Sequence, residues 1–113
     1  MAEPLRGDIW LVDLNPVRGH EQSGRRPGLV FSVNIFNQGP ADLVVVLPIT
    51  TRPKGIPFHV EVRDSEGGLK QRSFIKCEDI RSISKARLSK RLGAVSSATM
   101  GLVEDRLRIL LGL

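Results

Sequence analysis

His20, Glu21, Arg25 and Arg26 stand close together in the stretch "GHEQSGRRPGLVF" (19–31), which then turns apolar. A base, an acid and two guanidinium groups at the mouth of a strand suit chemistry on a phosphate ester. Such chemistry must stabilise charge on the non-bridging oxygens. Arginine brings a rigid donor fork for that purpose, and His20 or Glu21 can move a proton nearby. A second polar loop, "TTRPKGIP" (50–57), adds Thr50, Thr51, Arg52 and Lys54. If the strands pair in order, the two loops meet at one end of the sheet. Arg25 and Arg26 then approach Thr50, Thr51 and Arg52 and form a phosphate site. The competing reading of the same residues is a pair of solvated loops.

Other candidates are weaker. Glu61, Glu66, Glu78 and Asp79 are further carboxylates, and Glu78 stands out because "FIKCED" turns polar at the end of an apolar stretch. Beside Lys76 it reads first as a plain surface pair. His59, within an alternating strand, reads as an exposed strand residue. "KARLSKRLG" (85–93) carries Lys85, Arg87, Lys90 and Arg91, either a solvated face or a track for a nucleic-acid backbone. Phe58, beside the second loop, is the best aromatic for stacking on a base. Cys77 is the only cysteine, so no disulfide within the chain and no thiolate metal cluster is expected, and it reads as a small core residue. With two histidines in all, a His-rich metal site is also excluded. No phosphate-cradling "GxxxxGK[ST]" is present. Neither a metal nor a cofactor is expected.

These residues need a frame. "DIWLVDL" (8–14) is rich in strand formers, and the Gly- and Pro-containing stretch after it is a long loop, a kind that is often functional. "LVFSVNIF" (29–36) and "LVVVLPI" (43–49) read as buried strands separated by the turn "NQGPAD", with Pro48 marking a bend or a sheet edge. "FHVEV" (58–62) alternates as a half-buried strand. "RDSEGGLKQ" makes a hairpin turn at Gly67 and Gly68, and "RSFIKCEDIRSI" (72–83) is a strand broken near Glu78. In "AVSSATMGLVEDRLRILLGL" the residues Met100, Val103, Leu107 and Leu110 share one helical face, and Ser96 or Ser97 caps its start. Five or so strands and one C-terminal helix predict a small, strongly curved antiparallel sheet or barrel with the helix over one open side.

The chain has 113 residues, enough for one domain spanning 1–113, with 41% apolar residues for a modest core. Lys and Arg outnumber Asp and Glu by 17 to 12, a formal charge of +5 that favours an anionic partner. No apolar run approaches the ~18 residues of a membrane span, and "MAEPLRGD" lacks an apolar signal core. A cytoplasmic protein, without a membrane, is expected.

The same residues carry a resemblance. The chain is similar to the MazF/PemK/Kid family of bacterial toxin endoribonucleases over nearly its whole length. "RGDIWLVDLNPVRGHEQSGRRPGLVF" (6–31) contains the specific core "GxEQxGxRP". "LPITTRPKGIPFHVEV" (47–62) matches a second block through its Thr pair and "KGxPF", and "IKCEDIRSI" (75–83) matches a third. The resemblance implies an SH3-like, CcdB/PemK-type antiparallel β-barrel with a C-terminal helix, acting as a homodimer. It implies metal-independent, sequence-specific cleavage of single-stranded RNA, in which the ribose 2′-OH attacks to give a 2′,3′-cyclic phosphate and a 5′-OH. It also implies neutralisation by an acidic MazE/PemI-like antitoxin.

Residue by residue, the resemblance makes Arg26 an acid/base or charge-stabilising residue, Thr50 a contact to the scissile phosphate, and Glu21 a proton-transfer or supporting acid. His20 matches the signature histidine of the Kid branch. That branch has an Arg and an Asp where this chain has Lys76 and Glu78; lysine lacks the guanidinium fork, and Glu is longer. Arg25, Thr51, Arg52, Lys54, Phe58, Lys76 and Glu78 are then expected to bind substrate. Because guanidinium pKa values lie above ~12, an electrostatic role suits Arg26 better than that of a base. Two alternatives remain at this level: a non-catalytic, protein-binding toxin of the CcdB kind, and a degenerate RNA-binding module.

Overall fold

Unbroken apolar runs such as "LVVVLPI" arise when a sheet is covered on both faces, and this sheet is. The computed structural model describes residues 3–14 and 24–113. The strands are β1 (Asp8–Asp13), β2 (Arg25–Val30), β3 (Leu43–Thr50), β4 (His59–Val62), β5 (Ser73–Lys76), β6 (Arg81–Ser84) and β7 (Leu88–Ala94). The helices are a short α1 (Asn34–Asn37) and the C-terminal α2 (Ser97–Leu111). Single 3₁₀ turns occupy Glu66–Gly68, Cys77–Asp79 and Lys85–Arg87. The strand order is β4-β5-β3-β2-β1-β7, with β6 also on β3. All pairings are antiparallel. The mainly-β architecture with a C-terminal helix is the one expected, with seven strands among the described residues rather than five or so.

Successive residues of each central strand feed two cores. Ile9, Leu29, Leu47, Ile49, Val60, Val62, Ile75 and Cys77 pack beneath α2 against Met100, Val103 and Leu107. Trp10, Val12, Leu14, Val30, Val44, Val46, Ile83 and Leu88 fill the other side. The helix face expected at Met100, Val103 and Leu107 is the buried one, with Leu110 packed against it. Ser96 is the cap: its Oγ accepts from Thr99 N at 3.2 Å. Glu66 adds a second clasp, its Oε2 accepting from Thr99 Oγ1 at 2.7 Å and from Ser96 N at 3.1 Å. The turn that carries Glu66 needs glycine: Gly68 has φ +76°, and a Cβ there would collide with the Leu92 carbonyl.

Several expectations are corrected. The strand predicted over 29–36 is instead β2, which begins at Arg25 and stops at Val30, and residues 34–37 turn helically. Asn37 is buried; its Nδ2 donates to Ser32 O at 2.9 Å and its carboxamide oxygen accepts from Ser32 Oγ, closing that turn. The basic run at 85–93 holds a further strand, β7, on the open edge beyond β1. Pro48 marks no edge, because β3 is central. It falls where β3 changes neighbour, from β6 along Leu43–Val46 to β5 at Ile49 and Thr50. In that interval a missing N–H costs least. The predicted break in 72–83 is the Cys77–Asp79 turn between β5 and β6, so Cys77 is a buried turn residue rather than a strand residue.

Candidate active site

Directly opposed residues of antiparallel strands share a face and stand about 5 Å apart. Val12 opposes Arg26, Thr50 opposes Phe74, and Phe74 opposes Glu61. Gly28 and Pro48 are paired, and Arg26 and Thr50 each lie two residues further along their strands, on the face that this pair shares. Arg26, Thr50, Phe74 and Glu61 therefore belong to one face of the sheet. On the same face, Trp10 opposes Gly28, Gly28 opposes Pro48, and Lys76 opposes His59. Lys76 follows Phe74, the partner of Thr50, by two residues of β5 and so shares its face. Gly28 lets Val12 pack close against β2 next to Arg26, since a Cβ there would stand 2.9 Å from Val12 Cγ2.

Thr50 closes β3 and is half-exposed. Its Oγ1 accepts from Arg52 N at 3.2 Å, which leaves the hydroxyl hydrogen for a ligand oxygen. Arg26 is exposed. Arg25 is exposed too, but it precedes Arg26 in a strand and so faces the other side of the sheet. The expected pair of guanidiniums is therefore not one site. Thr51, Arg52 and Lys54 lie exposed in the loop after β3, as a ligand-binding loop requires. Phe58 is half-buried and packs against the core under α2, so its ring is only partly available for stacking. His20 and Glu21 lie outside the described residues.

Beyond Thr50 the charges form a network. His59 is not the exposed residue expected: its side chain is 4% exposed, and its Nε2 donates to Glu78 Oε2 at 2.9 Å. Nδ1 is buried with no partner among the described residues. Glu78 pairs with this histidine rather than with Lys76. The Lys76 ammonium instead meets Asp79 Oδ2 at 3.6 Å, and Arg81 Nη2 donates to the same oxygen at 2.7 Å. At the outer end Arg72 donates twice to Glu61, at 2.8 and 3.0 Å, and covers the Phe74 ring at 5.1 Å. That bidentate pair holds the Glu61 carboxyl below its ordinary range. Burial, with Glu78 nearby, pushes the Cys77 thiol up to about 12. Among the described residues no three His, Cys, Asp or Glu side chains gather as a metal site.

His59, Glu61, Arg72, Asp79 and Arg81 are the network members that the sequence reading did not place in a site. A strand with period two puts residues 76 and 78 on one face and 79 on the other. The 3₁₀ turn at Cys77–Asp79 instead brings i and i+3 together, which is how Asp79 reaches Lys76. The break already visible near Glu78 was the one signal for this.

Comparison with known proteins agrees with the motifs. The family described as "PemK-like, MazF-like toxin of type II toxin-antitoxin system" matches residues 5–111. Endoribonuclease EndoA of Bacillus subtilis (strain 168) is 36% identical over 109 residues, covering 96% of this chain and 94% of that protein. The crystal structure of MazF (Form-I) from Deinococcus radiodurans superposes with a TM-score of 0.88 at 31% identity, covering all of both chains. An endoribonuclease in complex with its cognate antitoxin, from Mycobacterial species, superposes at 0.78 with 30% identity, over 100% of this chain and 97% of that one. With a family match that runs through every element from β1 to α2, this chain belongs to the PemK-like, MazF-like toxins of type II toxin–antitoxin systems.

Proposed function

We propose that this toxin is a sequence-specific, metal-independent endoribonuclease that cleaves single-stranded RNA, stops translation and growth, and is neutralised by a cognate antitoxin. The observation that supports the reading is the sheet face that Arg26, Thr50 and Lys76 share. A fork donor and a hydroxyl on one face suit two non-bridging oxygens of a single phosphate. In the reaction the 2′-oxygen attacks phosphorus, the bond from phosphorus to O5′ breaks, and a 2′,3′-cyclic phosphate and a 5′-OH result. The 2′-OH proton leaves to a base, and O5′ gains a proton from an acid. Glu21 and His20 fill these proton-moving roles. Arg26 and Thr50 stabilise the phosphorane, Arg26 through its charge and Thr50 through its free hydroxyl hydrogen. The exposed residues Thr51, Arg52 and Lys54, the partly available Phe58, and Lys76 and Glu78 bind the substrate RNA. Arg25, on the far side of the sheet, adds charge rather than chemistry.

An acidic, flexible antitoxin segment of the MazE/PemI kind fits the same basic surface, and the toxin acts in the cytoplasm as a homodimer. No described helix is long and apolar enough to cross a membrane.

The test uses one fluorescent oligonucleotide in EDTA, all-RNA against a version with a single 2′-deoxy sugar on the 5′ side of the cut. Fragment-end sequencing of a long RNA first identifies the motif. The all-RNA strand is expected to be cut, while the deoxy strand binds but stays whole. Cutting of the deoxy strand would mean attack by external water. Intact RNA in both arms would favour a protein-binding toxin.

A further inference from the structure

We infer that Asp79 is a positioning residue for the cleavage reaction: it tethers Lys76 so that the ammonium addresses the phosphate held by Arg26 and Thr50. The inference rests on the endoribonuclease reading and adds to it a residue with a separate job.

Lys76, Asp79 and Arg81 are 12%, 18% and 17% exposed at their side chains. Gathering three charges in so little water is costly, and an ion pair of this kind is weak support for a fold. Their placement is more informative. Val46, Pro48 and Thr50 share one face of β3. Arg81 opposes Val46, and Lys76 follows Phe74, the partner of Thr50, by two residues of β5 and so shares its face. The two cations therefore line β3 on the face of Thr50, with Lys76 the nearer. Two neighbouring cations repel, and a lysine stem with four rotatable carbons would swing outward. Asp79 prevents this. Its 2.7 Å bond to Arg81 fixes the carboxylate, and the 3.6 Å contact to Lys76 tethers the ammonium without closing a tight bond. An ammonium carries three donors, so hydrogens remain for a phosphate oxygen. The carboxylate is itself anchored, because Cys77 in the same turn is fully buried under α2.

A tether has a signature that a structural ion pair lacks. Asp79→Asn removes an anion from a surface that must accept RNA, so binding holds or tightens, while turnover falls because Lys76 is no longer aimed. Misplacement of this kind costs up to about 10²-fold in rate. The experiment measures single-turnover cleavage and RNA Kd in EDTA for wild type, Asp79→Asn, Lys76→Met and the double variant, with Asp79→Glu as a rescue. We expect a 10²-fold range of loss in rate with unchanged or tighter Kd for Asp79→Asn, partial recovery in Asp79→Glu, and no further loss when Asp79→Asn is added to Lys76→Met. Losses that multiply in the double variant, or weaker binding at unchanged rate, would overturn the tether. Thermal melts identify a variant that fails to fold, and Asp79→Glu then carries the comparison with Lys76→Met. If the wild type cuts no RNA, the endoribonuclease reading itself falls. The tether is then read from the Lys76 ammonium signal in nitrogen-15 NMR: broadening in Asp79→Asn supports it, and an unchanged signal overturns it.

Discussion

Arg26 and Thr50 differ in what they offer a phosphate, and the difference sets the order of their variants. Arg26→Ala removes a full charge from an exposed strand start, so the fold is expected to survive and cleavage to fall about 10²- to 10⁴-fold. Thr50→Val removes one neutral donor and is expected to cost less. Initial rates on a fluorescent RNA, beside a thermal melt, check both; near-wild-type turnover in folded Arg26→Ala would move the site elsewhere. Cys77 marks the opposite extreme. Its thiol is buried and pushed up to about 12, so at pH 8 a thiol reagent is expected to leave it untouched until denaturant is added. Rapid labelling of the native protein would contradict its place in the core. At this scale Arg26 and Thr50 were legible as candidates, because both stand in polar loops beside apolar runs and in the motifs of the resemblance. His59 was not legible: alternation assigns it to a polar face, and only the fold shows that face covered by a partner, Glu78.

The elements explain what could and could not be read. β1, β3, β4 and α2 follow the periods expected of them, since burial on one or two faces leaves its imprint on residue type. β7 left none: on the sheet edge, Ser89, Lys90 and Arg91 are all exposed, and charge on an edge strand is a common guard against unwanted pairing. Residues 31–36 look like a strand because they are apolar, yet Ile35 is 83% exposed, and Ser32 with Asn37 decides the conformation. The clasp at the start of α2 gives a test at this scale. Burial opposes the charge on Glu66, but the Thr99 hydroxyl and the Ser96 amide and hydroxyl outweigh it and hold the carboxyl below its ordinary 4.5. A lowered carboxyl contributes stability above its unfolded value, and that contribution fades as pH falls through the folded one. Wild type is therefore expected to lose more Tm than Glu66→Gln between pH 7 and pH 3. Parallel curves would show that the clasp adds nothing.

As a whole molecule the chain leaves much apolar surface in water. Leu5, Val33, Ile35 and Phe36 are exposed near the sheet, and Leu102, Ile109, Leu111 and Leu113 along or after α2. A chain this small gains from a second copy, and a two-fold interface is the commonest arrangement. Light scattering at micromolar concentration is expected to give the dimer mass, and Ile35→Asp, at a position that supports no core, is expected to shift it toward monomer. A monomer mass for wild type would count against the dimer. Composition could suggest a partner copy but not where one would sit, because exposed and buried leucines look alike in a sequence.

The pairing of β1 with β7 also orders events in time. Ile9 opposes Gly93, so the first strand waits for the last before its outer edge is closed, and the turn that holds Asp79 waits for α2 to cover Cys77. Distant pairings form late because chain ends must first be brought together. On a ribosome, every side chain of the cleavage face has emerged well before the frame that aligns it. A half-made toxin is thus expected to be harmless to the messages being read around it, and toxicity begins only once residues 88–111 are free to fold. A chain ended after Arg87 should melt without a cooperative transition and leave RNA whole; cleavage by that fragment would show that the face assembles without its closing strand.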